Sequence, residues 1–404
     1  MRFSKPVILL SVFIAFFCTG LTMTFADESL TDAIKNGKTS GEVKFWYQTN
    51  DHDANNEDMF EKENTFFDAG VKLGYVTGSF YGFKAGTTFY AIDDLNAYGH
   101  FADKSIHGVP ENETWSWLGE AYLSYKLCNT IARVGRQNIK SPLINSDEWA
   151  LWPVNFEAYM LENKDIKDTT ITIGYVTDER RLKSERFENI AEDGIVMIGA
   201  VNKALPNTKL SAYYYYVDDH HNKEGVYLDA NTKISMFNLA AQYIIIDPDE
   251  SGADETQAFG GKISADMGFF ELAASACTTD RGTERIAKLS DRGIKTPLYT
   301  ATLSGDGDIA GAADTDSFKG VVAVKPLKGL KITASYAHYH HGSKTTAVPH
   351  KNAESFELMT KYSVNNNLTL FGSYINSDHY SGAWANDNPH DNLNTIRCWA
   401  KYAF

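Results

Sequence analysis

Cysteine and proline are both scarce in this chain. Four cysteines and ten prolines are spread over 404 residues. Cys128, Cys277 and Cys398 lie far apart and, beyond the apolar N-terminus that holds Cys18, are odd in number. That excludes a disulfide framework, and no CxxC spacing points to zinc. Long apolar runs are missing from the body of the chain, and the mean hydropathy is −0.33, which excludes a bundle of membrane helices. Basic residues are in the minority, 38 Lys and Arg against 52 Asp and Glu, for a formal charge of −14. An acidic chain does not wrap nucleic acid, so no nucleic-acid partner is expected. There is no GxSxG, no HExxH and no phosphate loop, so no enzyme activity and no cofactor are expected. A hydrolase would need a scattered group such as Asp378-His379.

The one apolar run is at the extreme N-terminus. Arg2 and Lys5 precede an apolar stretch from Val7 to Cys18, and Thr24-Phe25-Ala26 ends in a small residue. The run is too short to span a bilayer and polar sequence follows it, so residues 1–26 read as a secretory signal peptide. A retained anchor helix is the alternative. Phe16 and Phe17 before Cys18 do not make a lipoprotein context. Residues 27–40 read as a short polar N-terminal arm, placed in the periplasm.

From Gly41 to Phe404 the sequence changes character, into segments of about ten residues that alternate apolar and polar, the length a tilted strand needs to cross an outer membrane. Val43, Phe45 and Tyr47 share one face, and Glu42, Lys44, Trp46 and Gln48 the other. Phe67, Ala69, Val71, Leu73 and Tyr75 oppose Asp68, Gly70, Lys72 and Gly74. Period two with one wet and one greasy face is the strand signal. Short connections hold turn residues, as in Cys128-Asn129, Leu205-Pro206-Asn207 and Lys328-Gly329. Long ones are acidic: 50–63, 91–114, 138–155, 178–193 and 279–317. Short turns at one end and long loops at the other are the pattern of an outer-membrane barrel. The hairpins sum to about eighteen strands, with sixteen as the alternative. Segments 225–234 and 156–163 carry the weakest alternation. The expected fold is therefore an all-β, closed antiparallel transmembrane barrel over residues 41–404, in the outer membrane of a Gram-negative bacterium.

The last strand carries its own signal. Ile396, Cys398, Ala400, Tyr402 and Phe404 share a face, and Phe404 is the final residue. A terminal Phe on an amphipathic strand resembles the signal read by the barrel-assembly machinery, with Tyr402 and Phe404 as its core.

The stretch GRQNIKSPLINSDEWALWPVNFEA, 135–158, resembles the region around the third loop of OprD-like outer-membrane porins. The matching positions are Gly135, Arg136, Gln137, Ser141, Pro142, Leu143, Asp147, Pro153, Phe156 and Glu157. Residues 29–48 also resemble the N-terminus of such porins. The run from Trp149 to Trp152 is more apolar than the family pattern. The resemblance implies an eighteen-stranded monomer or homotrimer in lipid and lipopolysaccharide. It implies a third loop, here 138–155, folded inward to narrow the pore. It also implies basic residues that guide small polar solutes, amino acids or small carboxylates among them, by passive diffusion. A surface adhesin or lectin is the alternative from another class, and a barrel hydrolase a further one.

By parity, Lys44, Lys72, Lys84, Lys126, Arg133 and Arg397 lie on polar faces of the first five strands and the last. Closure would set them on one wall, as a basic ladder acting through a focused field. Solvated residues at unrelated depths are the plain alternative. Arg136, Asp147, Glu148, Trp149 and Trp152 are the constriction-loop candidates. The acids would oppose the ladder, and the tryptophans would line the opening or, more simply, pack the loop against the wall. Tyr81, Tyr125, Tyr213–Tyr216, Tyr402 and Phe404 suit aromatic girdles. His338 and His340 share a face and could chelate. With no acidic or cysteine partner fixed nearby, no metal is expected.

Overall fold

The computed structural model describes residues 29–404 except 53–57, 96, 98, 112, 147–149, 220–221, 287–288, 290–296, 304–308, 343–351 and 379–391. The signal-peptide reading falls on residues 1–26, outside the described ones.

A six-residue helix, α1 (Leu30–Lys35), opens the chain, capped by the Ser29 hydroxyl. The strands follow in sequence: β1 (Lys38–His52), β2 (Thr65–Val76), β3 (Phe83–Asp93), β4 (Thr114–Leu127), β5 (Thr130–Gln137), β6 (Asn155–Asn163), β7 (Thr169–Arg180), β8 (Glu188–Asn189), β9 (Ile195–Asn202) and β10 (Thr208–Val217). Then come β11 (Lys223–Ile234), β12 (Phe237–Pro248), β13 (Thr256–Asp266), β14 (Phe270–Thr279), β15 (Thr315–Leu327), β16 (Leu330–His341), β17 (Asn352–Ser363), β18 (Leu368–Asp378) and β19 (Asn392–Ala403).

Each long strand pairs antiparallel with the next, and β1 pairs with both β2 and β19, which closes the sheet. The two-residue β8 only extends a loop beside β7. Eighteen strands thus form a closed barrel, as the alternation implied. Closure satisfies every ladder N–H and C=O without an edge, which lipid requires. The two weakest segments are the strands β6 and β11. The short turns bring Cys128, Asn207 and Ser235 to positive φ, which lets the chain reverse within two or three residues.

The outer face is apolar. Val71, Leu73, Phe89, Leu118, Phe259 and Phe318 are all exposed on alternate positions of their strands. Among the described residues no helix is long and apolar enough to cross a membrane. Among the described residues, packing like that of a soluble core occurs inside, between the wall and loops that fold into the barrel. One cluster joins Ile139, Leu143 and Ile144 to Ile286, Leu289 and Leu298, against Phe156, Tyr215 and Ile244 of the wall. A second joins Trp46, Tyr90 and Trp117 to Ile106, Ala150, Leu151 and Trp152.

Three expectations need correction. The Tyr213–Tyr216 run is not all girdle. Leu210 faces out, so Tyr213 and Tyr215 face in, and Tyr215 is fully buried within the inner cluster. Four tyrosines in a row carry no alternation, so sequence could not divide them. Arg136 is a residue of β5, not of the third loop, set opposite Glu157 of β6. The first strand begins at Lys38, three residues ahead of Gly41, and leaves a shorter arm.

Candidate functional site

A loop that enters a barrel brings backbone polar groups with it, and each needs a partner. The polar inner faces of the strands supply them. Lys44 of β1 donates from Nζ to the carbonyls of Ala150 at 2.6 Å and Leu151 at 3.4 Å, both in the third loop. Its ammonium also lies 5.0 Å from the Trp399 ring and 5.4 Å from Trp46, within cation–π range. Trp152 donates from Nε1 to Ala91 O at 3.0 Å and meets Tyr90 edge-on. Gly70 makes room for it, since a Cβ there would stand 2.7 Å from the indole. At the other end of the loop, Leu143 N donates to the Tyr215 hydroxyl at 3.2 Å. Trp117, Asn155 and Asn138 form a hydrogen-bonded chain at the exit from β5.

The second loop is tied to the same wall. Asp68, opposite Trp46 in register, accepts Ile106 N at 3.0 Å and faces His107 Nδ1 at 3.0 Å. His107 is fully buried. Burial pushes its pKa below the ordinary histidine value, Arg180 and Lys44 push it further down, and Asp68 opposes them. It is therefore neutral near pH 7, with Nδ1 placed to donate to the carboxylate.

The connection between β14 and β15 also folds inward, which sequence did not suggest. Lys319 of β15 donates to Ala301 O, and Tyr339 donates to Thr300 O at 2.8 Å. Ser275 donates to Tyr299 O at 3.0 Å, while the Tyr299 hydroxyl meets Asp229. Glu357 accepts Leu303 N and, at 3.0 Å, the Ser335 hydroxyl. The logic of Lys44 repeats on the far side, with a wall lysine capping loop carbonyls. The third and seventh loops then meet in one apolar cluster and reduce the free cross-section.

Comparison with known proteins agrees with this geometry. Residues 99–281 match the family described as outer membrane porin, OprD family. Over those residues the chain resembles an OprD-like outer-membrane porin. The porin is similar in fold to Pseudomonas aeruginosa OccK1 (OpdK), with a TM-score of 0.75 at 13% identity over 92% of this chain and 99% of that one. Acinetobacter baumannii OccAB2 gives 0.75 at 17% identity, over 92% and 99%. Pseudomonas aeruginosa OpdK with vanillate gives 0.74 at 13%, over the same shares. No curated protein matches the porin. Its place is the Gram-negative outer membrane, among lipid and lipopolysaccharide, and it passes small solutes by diffusion.

The barrel wall brings several of the expected cations together. Across the β1–β19 seam Lys44 stands opposite Lys401, and Gln48 opposite Arg397. Arg397 donates from Nε to Gln48 Oε1 at 3.0 Å and lies 5.3 Å from Trp46. Lys72 is half-buried, 5.7 Å from the Tyr90 ring. Arg133 stacks on Tyr122 at 4.3 Å. Lys84 and Lys126 are exposed at the ends of β3 and β4 nearest the short turns. Arg136 donates to Glu157 at 2.6 Å and lies over Phe187. Asp147, Glu148 and Trp149 lie outside the described residues, whereas Trp152 packs against the wall.

His338 and His340 point away from the buried Tyr339. Each has a neighbour, Glu354 at 3.3 Å and Asn352 at 2.8 Å. Among the described residues no three His, Cys, Asp or Glu come together as a metal site. The residues that sequence missed are Lys319, Tyr339, Glu357 and Tyr299, which seat the seventh loop. Lys319 and Glu357 follow the lipid-facing Phe318 and Phe356 and so face inward, but nothing in the sequence showed that a loop would come to meet them.

Proposed function

We propose that the porin favours small carboxylates, drawn along a basic wall and past a constriction set by its third and seventh loops. The observation that carries this reading is the run of cations across β19, β1 and β2: Lys401 and Lys72 flank the one carboxylate Glu42, Lys44 stands opposite Lys401, and Arg397 lies further along the same seam opposite Gln48. Cations in a low-dielectric channel focus the field and raise the local concentration of anions. Half-way round the barrel, Tyr213 and Tyr227 stand opposite each other in register on the inner face. Tyr213, half-buried, offers its ring and hydroxyl to the uncharged part of a solute, while Tyr227 is buried in the inner cluster. One solved structure similar to this chain holds vanillate, a carboxylate, which suits the same division of labour. Asp147 and Glu148 complete the reading as the acidic side of the constriction, where a transverse field would also align amino-acid zwitterions. Tyr402 and Phe404 are the assembly signal, and the barrel works as a monomer or homotrimer.

The test is the reversal potential of single channels in planar bilayers under a KCl gradient, followed by conductance with carboxylate salts. Anion preference that falls in Lys72→Glu, and falls further with Arg133→Glu added, supports the basic wall. Unchanged selectivity in a folded double variant refutes it.

A further inference from the structure

We propose that α1 and the apolar residues of the short turns form one collar seated in the periplasmic phospholipid leaflet, with the helix lying along its headgroup–acyl boundary. Leu30 and Ile34 are four residues apart, so they share one face of α1, and they are 57% and 53% exposed. Ala33, on another side, is buried. Asp32 and Lys35 supply the polar face. The helix is too short to be stable alone, and the barrel holds it. Gly78 N donates to Ala33 O at 2.8 Å, and the Tyr75 hydroxyl donates to Ile34 O.

Tyr75 decides which surface the helix continues. It follows Val71 and Leu73 at two-residue spacing on β2, and both of those face lipid. The helix is therefore moored to the outer side of the barrel, not under its opening. Across the adjacent seam Tyr402 and Phe404 are exposed on the same face.

The turns repeat the pattern. Ile166, Leu205 and Phe269 lie in short connections, Ile234 and Leu327 end the strands that lead into two others, and each is at least half exposed. Turns that stood in water would favour polar residues, and a large apolar side chain at one turn after another marks a surface that leaves water. The occupant is fixed by continuity, because the collar is the lower margin of a face already against lipid. Amphipathic helices and aromatic side chains take the same position at membrane boundaries.

The experiment uses the full mature chain with Cys128, Cys277 and Cys398 replaced by alanine. A nitroxide is attached at Ile34→Cys, Ile234→Cys or Asn366→Cys, the last in an exposed polar turn. Each protein is reconstituted in phospholipid vesicles, and folding is verified by heat-modifiable migration and channel conductance. Electron paramagnetic resonance then compares collisions with oxygen, which partitions into lipid, and with a water-soluble nickel chelate. The collar predicts a several-fold higher oxygen-to-nickel ratio at positions 34 and 234 than at 366. Nickel access at 34 and 234 equal to that at 366 overturns it. So does protection from both reagents, which would mean that a protein surface covers the collar. Because conductance is read on the same samples, loss of the channel and loss of the collar are separate results.

Discussion

Lys44 shows how one side chain can serve the fold and the pore at once. Its ammonium is nearly buried, and its hydrogen bonds run to two carbonyls of the third loop. A hydrogen bond to a charged group contributes about 1.5–3 kcal/mol, and its loss would leave the loop carbonyls short of a donor. Lys44→Met keeps the volume and removes the donor. We expect the barrel to persist and the loop to loosen, with noisier and larger single-channel currents. Currents identical to those of the parent protein would show that Lys44 does not hold the loop. His107 gives a pH dependence at the same scale. Its folded pKa lies below the ordinary 6.5, so the docked second loop is fully stable above that value. As pH falls through 6.5, the undocked state takes up the proton first and docking weakens. Asp68, Arg180 and Lys44 are the charges that act on it. Protease cleavage near residues 99–111 should therefore rise below pH 6.5 in the parent and lose this dependence in His107→Gln. A flat profile in the parent would contradict the assignment.

Among the elements, the two inserted loops divide the inner wall between them, and their moorings differ. The third loop is held by an indole, a lysine and the Tyr215 hydroxyl, the seventh by Lys319, Tyr339 and Glu357. Trp152→Ala removes one of the largest anchors, and truncating a buried Trp costs about 3–5 kcal/mol. The strand ladders do not depend on it, so that loss should appear as a wider pore and higher conductance. An unchanged conductance would mean that the seventh loop alone sets the width. The strands were legible because period-two alternation is imposed by the pleat, and most barrel strands carry it, with the tyrosine run of β10 as the clear exception. The loops were not, because an inserted loop has no period. The third was expected inside only through the resemblance of residues 135–158. The seventh had neither resemblance nor period, and its anchors Lys319 and Glu357 look like any other inward polar residues until Ala301 and Leu303 meet them. The same limit explains Tyr213 and Tyr215, whose inward direction depends on register with Gly199 and Met197 rather than on residue type.

At the scale of the whole barrel, the question is what the chain end contributes. The seam is closed mainly by backbone, with eleven residue pairs in register between β1 and β19. Phe404 adds two further hydrogen bonds with Gly41, at 2.8 and 2.9 Å, and both use main-chain atoms only. Its ring lies over Gly41, where a Cβ would stand 2.2 Å away, yet the side chain is 64% exposed. Phe404→Ala therefore removes little that the finished barrel depends on, and surface substitutions of this kind change stability by about 0.5 kcal/mol or less. Any larger effect must act before the seam closes, when the final strand is still unpaired and its apolar row is what another protein can read. We expect the purified variant to convert from the compact to the unfolded gel form at nearly the parent temperature, while the amount reaching the outer membrane in cells falls several-fold. If yield and conversion temperature fall together, the ring is a structural clasp on Gly41. If neither falls, the terminal Phe is only one more residue of the lipid-facing row.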